Sequence, residues 1–154
     1  MPLRRVLSTF GLFAALAVTG AAGLAAPARA QSPATPGTAK IGLELNRLES
    51  RPEGCRVWLL LRNPAPEAVD PLRLDLLVFG KDGVIARRLA LDVGPLPQEK
   101  TMARIFDLAS QPCDGIGAVL LNDLLACGGT PETRAACLPR LALASRVDGV
   151  TFEK

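Results

Sequence analysis

Histidine and tyrosine are both missing from the 154 residues, aromatic residues make up only 4%, and tryptophan occurs once. Without imidazole there is no Ser–His or Cys–His pair, no histidine base and no histidine metal ligand, which excludes most small hydrolases and metalloenzymes. Ser50, Ser110 and Ser145 do not sit in a G-x-S-x-G elbow, and no Ser-x-x-Lys pair occurs in the mature chain. The step Cys127-Gly128-Gly129-Thr130-Pro131 lacks the lysine of a phosphate-binding loop. Acids such as Glu44, Asp75, Asp92, Asp107, Asp114 and Asp123 are spread along the chain and read as solvated faces or turn formers. No catalytic constellation, cofactor motif or metal-ligand set is present, and the expectation is a protein that is not an enzyme.

Charge of one sign is also in short supply. The formal net charge is +3, but three of the 18 basic residues, Arg4, Arg5 and Arg29, lie within the first 30 positions, where there is no acid. The remaining 15 match the 15 acids, so the body of the protein is neutral. That argues against a nucleic-acid or anionic-membrane partner.

The first 30 residues have the form of an export signal. A basic start at Arg4 and Arg5 precedes an uncharged run from Val6 to Ala26, and Ala28 and Ala30 frame an A-x-A cleavage site with Gln31 as the mature N-terminus. A retained anchor is the alternative, but Thr9, Gly11, Thr19, Gly20 and Gly23 make the run weakly apolar, so no stable membrane insertion is expected after cleavage. Leu3-Arg-Arg-Val-Leu-Ser8 partly matches a twin-arginine signal, with Leu3 where Ser or Thr is usual, and the general secretory route stays open. Residues 31–40 are small, polar and Pro-containing, a flexible lead-in with nothing to bury. Residues 41–154 are the length of one domain.

Strand signals recur through that domain with turn residues between them. Ile41 to Asn46 alternates, as does Cys55 to Arg62, which places Cys55, Val57, Leu59 and Leu61 inward and Arg56, Trp58 and Arg62 outward. The second run stops at Asn63-Pro64-Ala65-Pro66, because proline cannot donate to a ladder. Leu72 to Phe79 is a third strand. Gly80-Lys-Asp-Gly83 carries an Asp-Gly hairpin turn, and Val84 to Val93 returns. Further strands are read at Thr101 to Leu108, Ile116 to Leu121 and Leu138 to Val147, with a short tail at Val150 to Phe152. Leu121 to Ala126 is open between strand and one helical turn. About seven short strands describe an antiparallel β-sandwich of immunoglobulin-like type.

In the oxidising compartment that export implies, an even number of cysteines suggests disulfides. The 58-, 14- and 10-residue spacings contain no C-x-x-C, which disfavours structural zinc and a thioredoxin-like role. Four cysteines permit three pairings. If successive strands alternate in direction, Cys55 opening the second strand and Cys113 preceding the sixth lie at one end of the sandwich. That favours Cys55–Cys113, with Cys127–Cys137 pinning a loop over residues 128–136.

Three features could bind a partner. Trp58 between Arg56 and Arg62 is the kind of anchor interfaces use; the alternatives are that Trp58 is inward in the opposite register, or packs under a neighbouring loop, since Leu60 shares its face. The cross-linked loop, with Thr130, Glu132 and Arg134 at its centre, loses less entropy on meeting a partner, or is stapled only for stability. Arg87, Arg88 and Arg104 read as cross-strand partners of Asp75, Asp92 or Asp107.

The runs Leu72 to Leu89, Gly94-Pro-Leu-Pro97, Lys100-Thr101, Phe106-Asp107 and Leu120 to Cys127, together with the leader, resemble an uncharacterised family of exported alphaproteobacterial proteins labelled "Tat pathway signal sequence domain protein". The strand, Asp-Gly turn and strand are more loosely similar to FxLYD-type immunoglobulin-like modules, whose tyrosine is absent here. The resemblance implies export and a β-sandwich; it implies no activity. The expected function is that of a periplasmic or secreted, non-catalytic binding or accessory protein with an unknown protein partner in the cell envelope. The alternatives are a small envelope enzyme or inhibitor using the 128–136 loop, and a subunit of an envelope assembly.

Overall fold

The computed structural model describes residues 39–154. The leader, its cleavage site at Ala28 and Ala30, and residues 31–38 of the lead-in lie outside the described residues. Eight strands form two four-stranded sheets that pack face to face as an immunoglobulin-like sandwich. The first sheet has the order β5 (Lys100–Ala109), β2 (Gly54–Asn63), β1 (Ile41–Arg51), β7 (Leu141–Ser145). The second runs β4 (Ile85–Asp92), β3 (Leu72–Gly80), β6 (Ile116–Cys127), β8 (Thr151–Glu153). Most pairs are antiparallel, as expected for this sandwich; β7 joins β1 and β8 joins β6 in parallel at one edge of each sheet.

Alternation does most of the folding. Leu43, Leu45, Val57, Leu59, Leu61, Leu72, Leu74, Leu76 and Val78 are all at most 3% exposed, and each comes from a period-two run whose other residues face out. Burying one aliphatic side chain of this size is worth about 1.5–3 kcal/mol, so a slip of one residue in any of these strands would be heavily penalised. The space between the sheets leaves a void of about 10 Å³, too small for a ligand.

The Asp-Gly hairpin forms as read. Gly83 takes φ 78°, Gly80 donates to the Val84 carbonyl at 2.8 Å, and the Val84 N–H donates to Asp82 Oδ1. Both expected disulfides are present, Cys55–Cys113 between the sheets and Cys127–Cys137 beside the end of β6, and no described cysteine is free.

Four readings change. Leu121 to Ala126 is strand, part of a β6 that runs to Cys127. Three β6 residues, Gly117, Asn122 and Leu125, are extra relative to β3 and make bulges. They space the buried side chains as Ile116, Val119, Leu121, Leu124 and Cys127, a rhythm that imitates a helix. At Gly117 the bulge leaves no room for a side chain, since a Cβ would stand 2.8 Å from the Gly80 carbonyl oxygen. The 128–136 loop is instead mostly a helix, α1 (Pro131–Cys137). The strand read from Leu138 begins only at Leu141, because Pro139 sits in a 3-10 turn over Leu138–Arg140. Finally, the tail is a true eighth strand that buries Phe152 beside Val119.

Candidate functional site

The outer face of the first sheet gathers Arg56, Trp58 and Arg62, as their alternation with Val57, Leu59 and Leu61 requires. The register sets them in rows across β1, β2 and β5: Glu49–Arg56–Asp107, Arg47–Trp58–Ile105, Glu44–Leu60–Ala103 and Gly42–Arg62–Thr101. Trp58 is half-buried by these neighbours, and its Nε1–H donates to Glu49 Oε2 at 3.1 Å, which fixes the indole against the sheet. Ile105 beside it remains 50% exposed.

The acids of this face are already engaged. Arg56 grips Asp107 through Nε at 2.8 Å and Nη2 at 3.0 Å, and these hydrogen bonds hold the Asp107 carboxyl below its usual range and raise Arg56. Glu49 takes Arg51 at 3.1 Å as well as the indole. Glu44 accepts from the Asn46 amide at 2.8 Å and lies 3.4 Å from Arg146, and it is lowered by the amide first and the guanidinium second. Arg47 and Arg62 point from the same face and make no ion pair or side-chain hydrogen bond among the described residues. Small residues at Gly42, Ala142 and Ala144 leave a shallow groove of about 240 Å³ walled by Leu60, Arg62, Glu44 and Arg146.

Thr130, Glu132 and Arg134 lie elsewhere, on the segment that follows β6 in the second sheet. They do not join Trp58 in one site. Thr130 is the N-cap of α1: its hydroxyl accepts from the Thr133 N–H, and the Thr133 hydroxyl accepts from the Thr130 N–H, a reciprocal capping box. Glu132 occupies the first turn and is held below its usual range by its own backbone N–H and the Thr130 hydroxyl. Arg134 donates to the Leu124 carbonyl at 3.1 Å, with Asp123 at 3.9 Å. All three are thus spent on shaping the helix and fastening it to β6. The signal for this helix was present, a threonine followed by proline at the first helical position and then Glu132.

The three further arginines divide. Arg88 pairs with Asp75 as expected, through Nε at 2.8 Å and Nη2 at 2.9 Å. Arg87 and Arg104 instead point inward, since their partners Val78 and Leu59 are core residues. Arg87 Nη2 donates to the Ala109 carbonyl and Arg104 Nε to that of Val93, so each closes the open side of the sandwich by reaching backbone near the facing edge. Asp75, read as a solvated strand residue, is only 2% exposed; Asn122 adds a 2.6 Å hydrogen bond to the two from Arg88, and these bonds lower its pKa.

Sequence reasoning also missed Asn63. It continues the inward alternation of β2, is 1% exposed, and its amide donates to the Glu67 and Pro97 carbonyls while its oxygen accepts from Ala65 N–H. It thereby ties two proline-rich turns together. Among the described residues no three His, Cys, Asp or Glu side chains are grouped to hold a metal ion. Comparison of the chain with protein-family models, curated proteins and solved structures finds no match in any of the three.

Proposed function

We propose that this protein is exported to a bacterial periplasm, where the signal is removed after Ala30, and acts there as a non-catalytic immunoglobulin-like binding or accessory module. The two disulfides point to an oxidising, extracytoplasmic environment, and the leader supplies an address. The observation that carries the binding role is the Trp58 face: a tryptophan fixed by Glu49, flanked by an exposed isoleucine and two arginines without carboxylate partners. A rigid aromatic anchor loses little entropy on association, which is why such residues dominate interface energetics.

Affinity capture from envelope extract with the mature protein and with Trp58→Ala tests the reading. A partner retained by the parent and lost by the variant, with equal thermal midpoints, supports it. A partner retained equally by both moves the binding surface away from Trp58. The inhibitor or enzyme reading of the 128–136 segment has less support, because Thr130 and Arg134 are committed to the local fold.

A further inference from the structure

We infer that the outer face of the first sheet recognises an extended, acidic protein segment in which carboxylates alternate with apolar side chains; this rests on the binding role assigned above to the Trp58 face. The charge balance of the face leads to it. Its three acids, Glu44, Glu49 and Asp107, each hold an arginine of their own. Arg47 and Arg62 are what remains, two exposed cations with no carboxylate hydrogen-bonded to them, Arg62 adding only a through-space attraction to Glu44. Four residues of β2 separate the row of Trp58 and Arg47 from Arg62, roughly 13 Å along the strand. One face of an extended peptide repeats every two residues, so carboxylates at positions i and i+4 match these arginines. The side chain at i+2 falls over the Leu60 row, beside the groove that Gly42, Ala142 and Ala144 leave open.

The same features disfavour other anionic partners. A phosphate backbone or lipid surface brings a continuous sheet of negative charge and would press against Glu44, Glu49 and Asp107, which interleave with the arginines. Trp58, Leu60 and Ile105 add apolar surface between the charges. A segment with discrete carboxylates and apolar side chains between them satisfies both sets of groups.

Trp58 is the single tryptophan and there is no tyrosine, so indole fluorescence reports on this face alone. Three synthetic peptides of one length, carrying glutamate, glutamine or lysine at every fourth position, leucine two residues after each and serine between, would be titrated into the mature protein, so that one face of the extended chain alternates the variable residue with leucine. The glutamate peptide is expected to shift the emission saturably and to bind at least about tenfold more tightly than the glutamine peptide. Raising salt from about 0.05 to 0.5 M should erase most of that preference. The double variant Arg47→Glu/Arg62→Glu should favour the lysine peptide. Equal binding of all three peptides overturns the acidic partner while leaving the Trp58 face as a binding surface. No emission change with any peptide, combined with capture that Trp58→Ala does not weaken, overturns both. Anionic vesicles or a polyphosphate that shift the emission more than the glutamate peptide overturn the protein-segment assignment.

Discussion

The outer faces of the two sheets carry the same chemical device in two settings. Each has an arginine clamping a carboxylate from a neighbouring strand with two hydrogen bonds of nearly equal length, Arg56 on Asp107 and Arg88 on Asp75. Side-chain exposure separates them: Asp107 is 45% exposed, Asp75 3%. Beside Asp75 the β6 bulge pushes Asn122 out to deliver a third hydrogen bond, and the carboxylate is sealed. On the second face Asp75, Arg88 and Asn122 are consumed by one another, while Arg73, beside no tryptophan, makes no ion pair or side-chain hydrogen bond among the described residues. On the first face acids are neutralised at the surface and two cations are left over, which is why the binding role is assigned there. Equal geometry does not imply equal worth, because an exposed pair is screened by solvent whereas a buried group that loses its partners has no water to turn to.

If the two sheets unfold as one unit, breaking the covalent link between them has the largest expected effect. Cys55→Ser/Cys113→Ser removes the bridge between them and should lower unfolding stability by about 4 kcal/mol on loop-closure entropy; Cys127→Ser/Cys137→Ser, which frees only a local segment, should cost about 3 kcal/mol. Denaturant unfolding followed by circular dichroism measures both. A first variant as stable as the parent would mean the faces belong to separately stabilised layers.

Next in size is the direct contrast between the pairs. Arg88→Ala leaves the buried Asp75 carboxylate with the Asn122 amide as its one side-chain donor and should lower the thermal midpoint by on the order of 5–10 °C, whereas Arg56→Ala, which leaves an Asp107 that water reaches, should shift it by less than about 2 °C. Equal shifts in scanning calorimetry would erase the distinction.

Acid sharpens it further. Both carboxylates titrate below their usual range when folded, so their stabilisation is complete above the unfolded value near 4 and is lost as pH falls through the folded values. Stability should therefore decline below about pH 4, and Asp75→Asn should flatten that decline more than Asp107→Asn. Thermal midpoints measured from neutral to acid pH decide this; an identical slope in Asp75→Asn and the parent would show that Asp75 is not the responsible group. A small change is also expected in Trp58→Ala, whose midpoint should stay within about 3 °C of the parent, because the indole stands on a solvated face outside the core.

Much of this was legible from periodicity. Leu72 to Val78 alternates strictly, and its core face, the Asp-Gly turn and the return strand all follow from that pattern. Cys55 and Cys113 could be paired once strand direction was counted. What failed to show did so for local reasons. The bulges of β6 turned a two-residue rhythm into one resembling a helix. The helix at Pro131–Cys137 hid in a stretch read only as a loop between cysteines. Asp75 looked like any outward residue of a half-buried strand, and nothing local foretells that Asn122 will be displaced to cover it. Arg87 and Arg104 were assigned to carboxylates because sequence shows which charges exist but not which carbonyls stand opposite.

By itself the sequence determined which side of each strand turns inward, since water expels the same alternating leucines and valines whatever the topology, and it determined where the chain must turn, since glycine reaches positive φ and proline removes a ladder donor. Only the tertiary structure decided which charges are left without partners. That property depends on distances between residues far apart in the chain, 51 positions for Arg56 and Asp107 and more for Glu44 and Arg146, and such distances are set by how the sheets assemble.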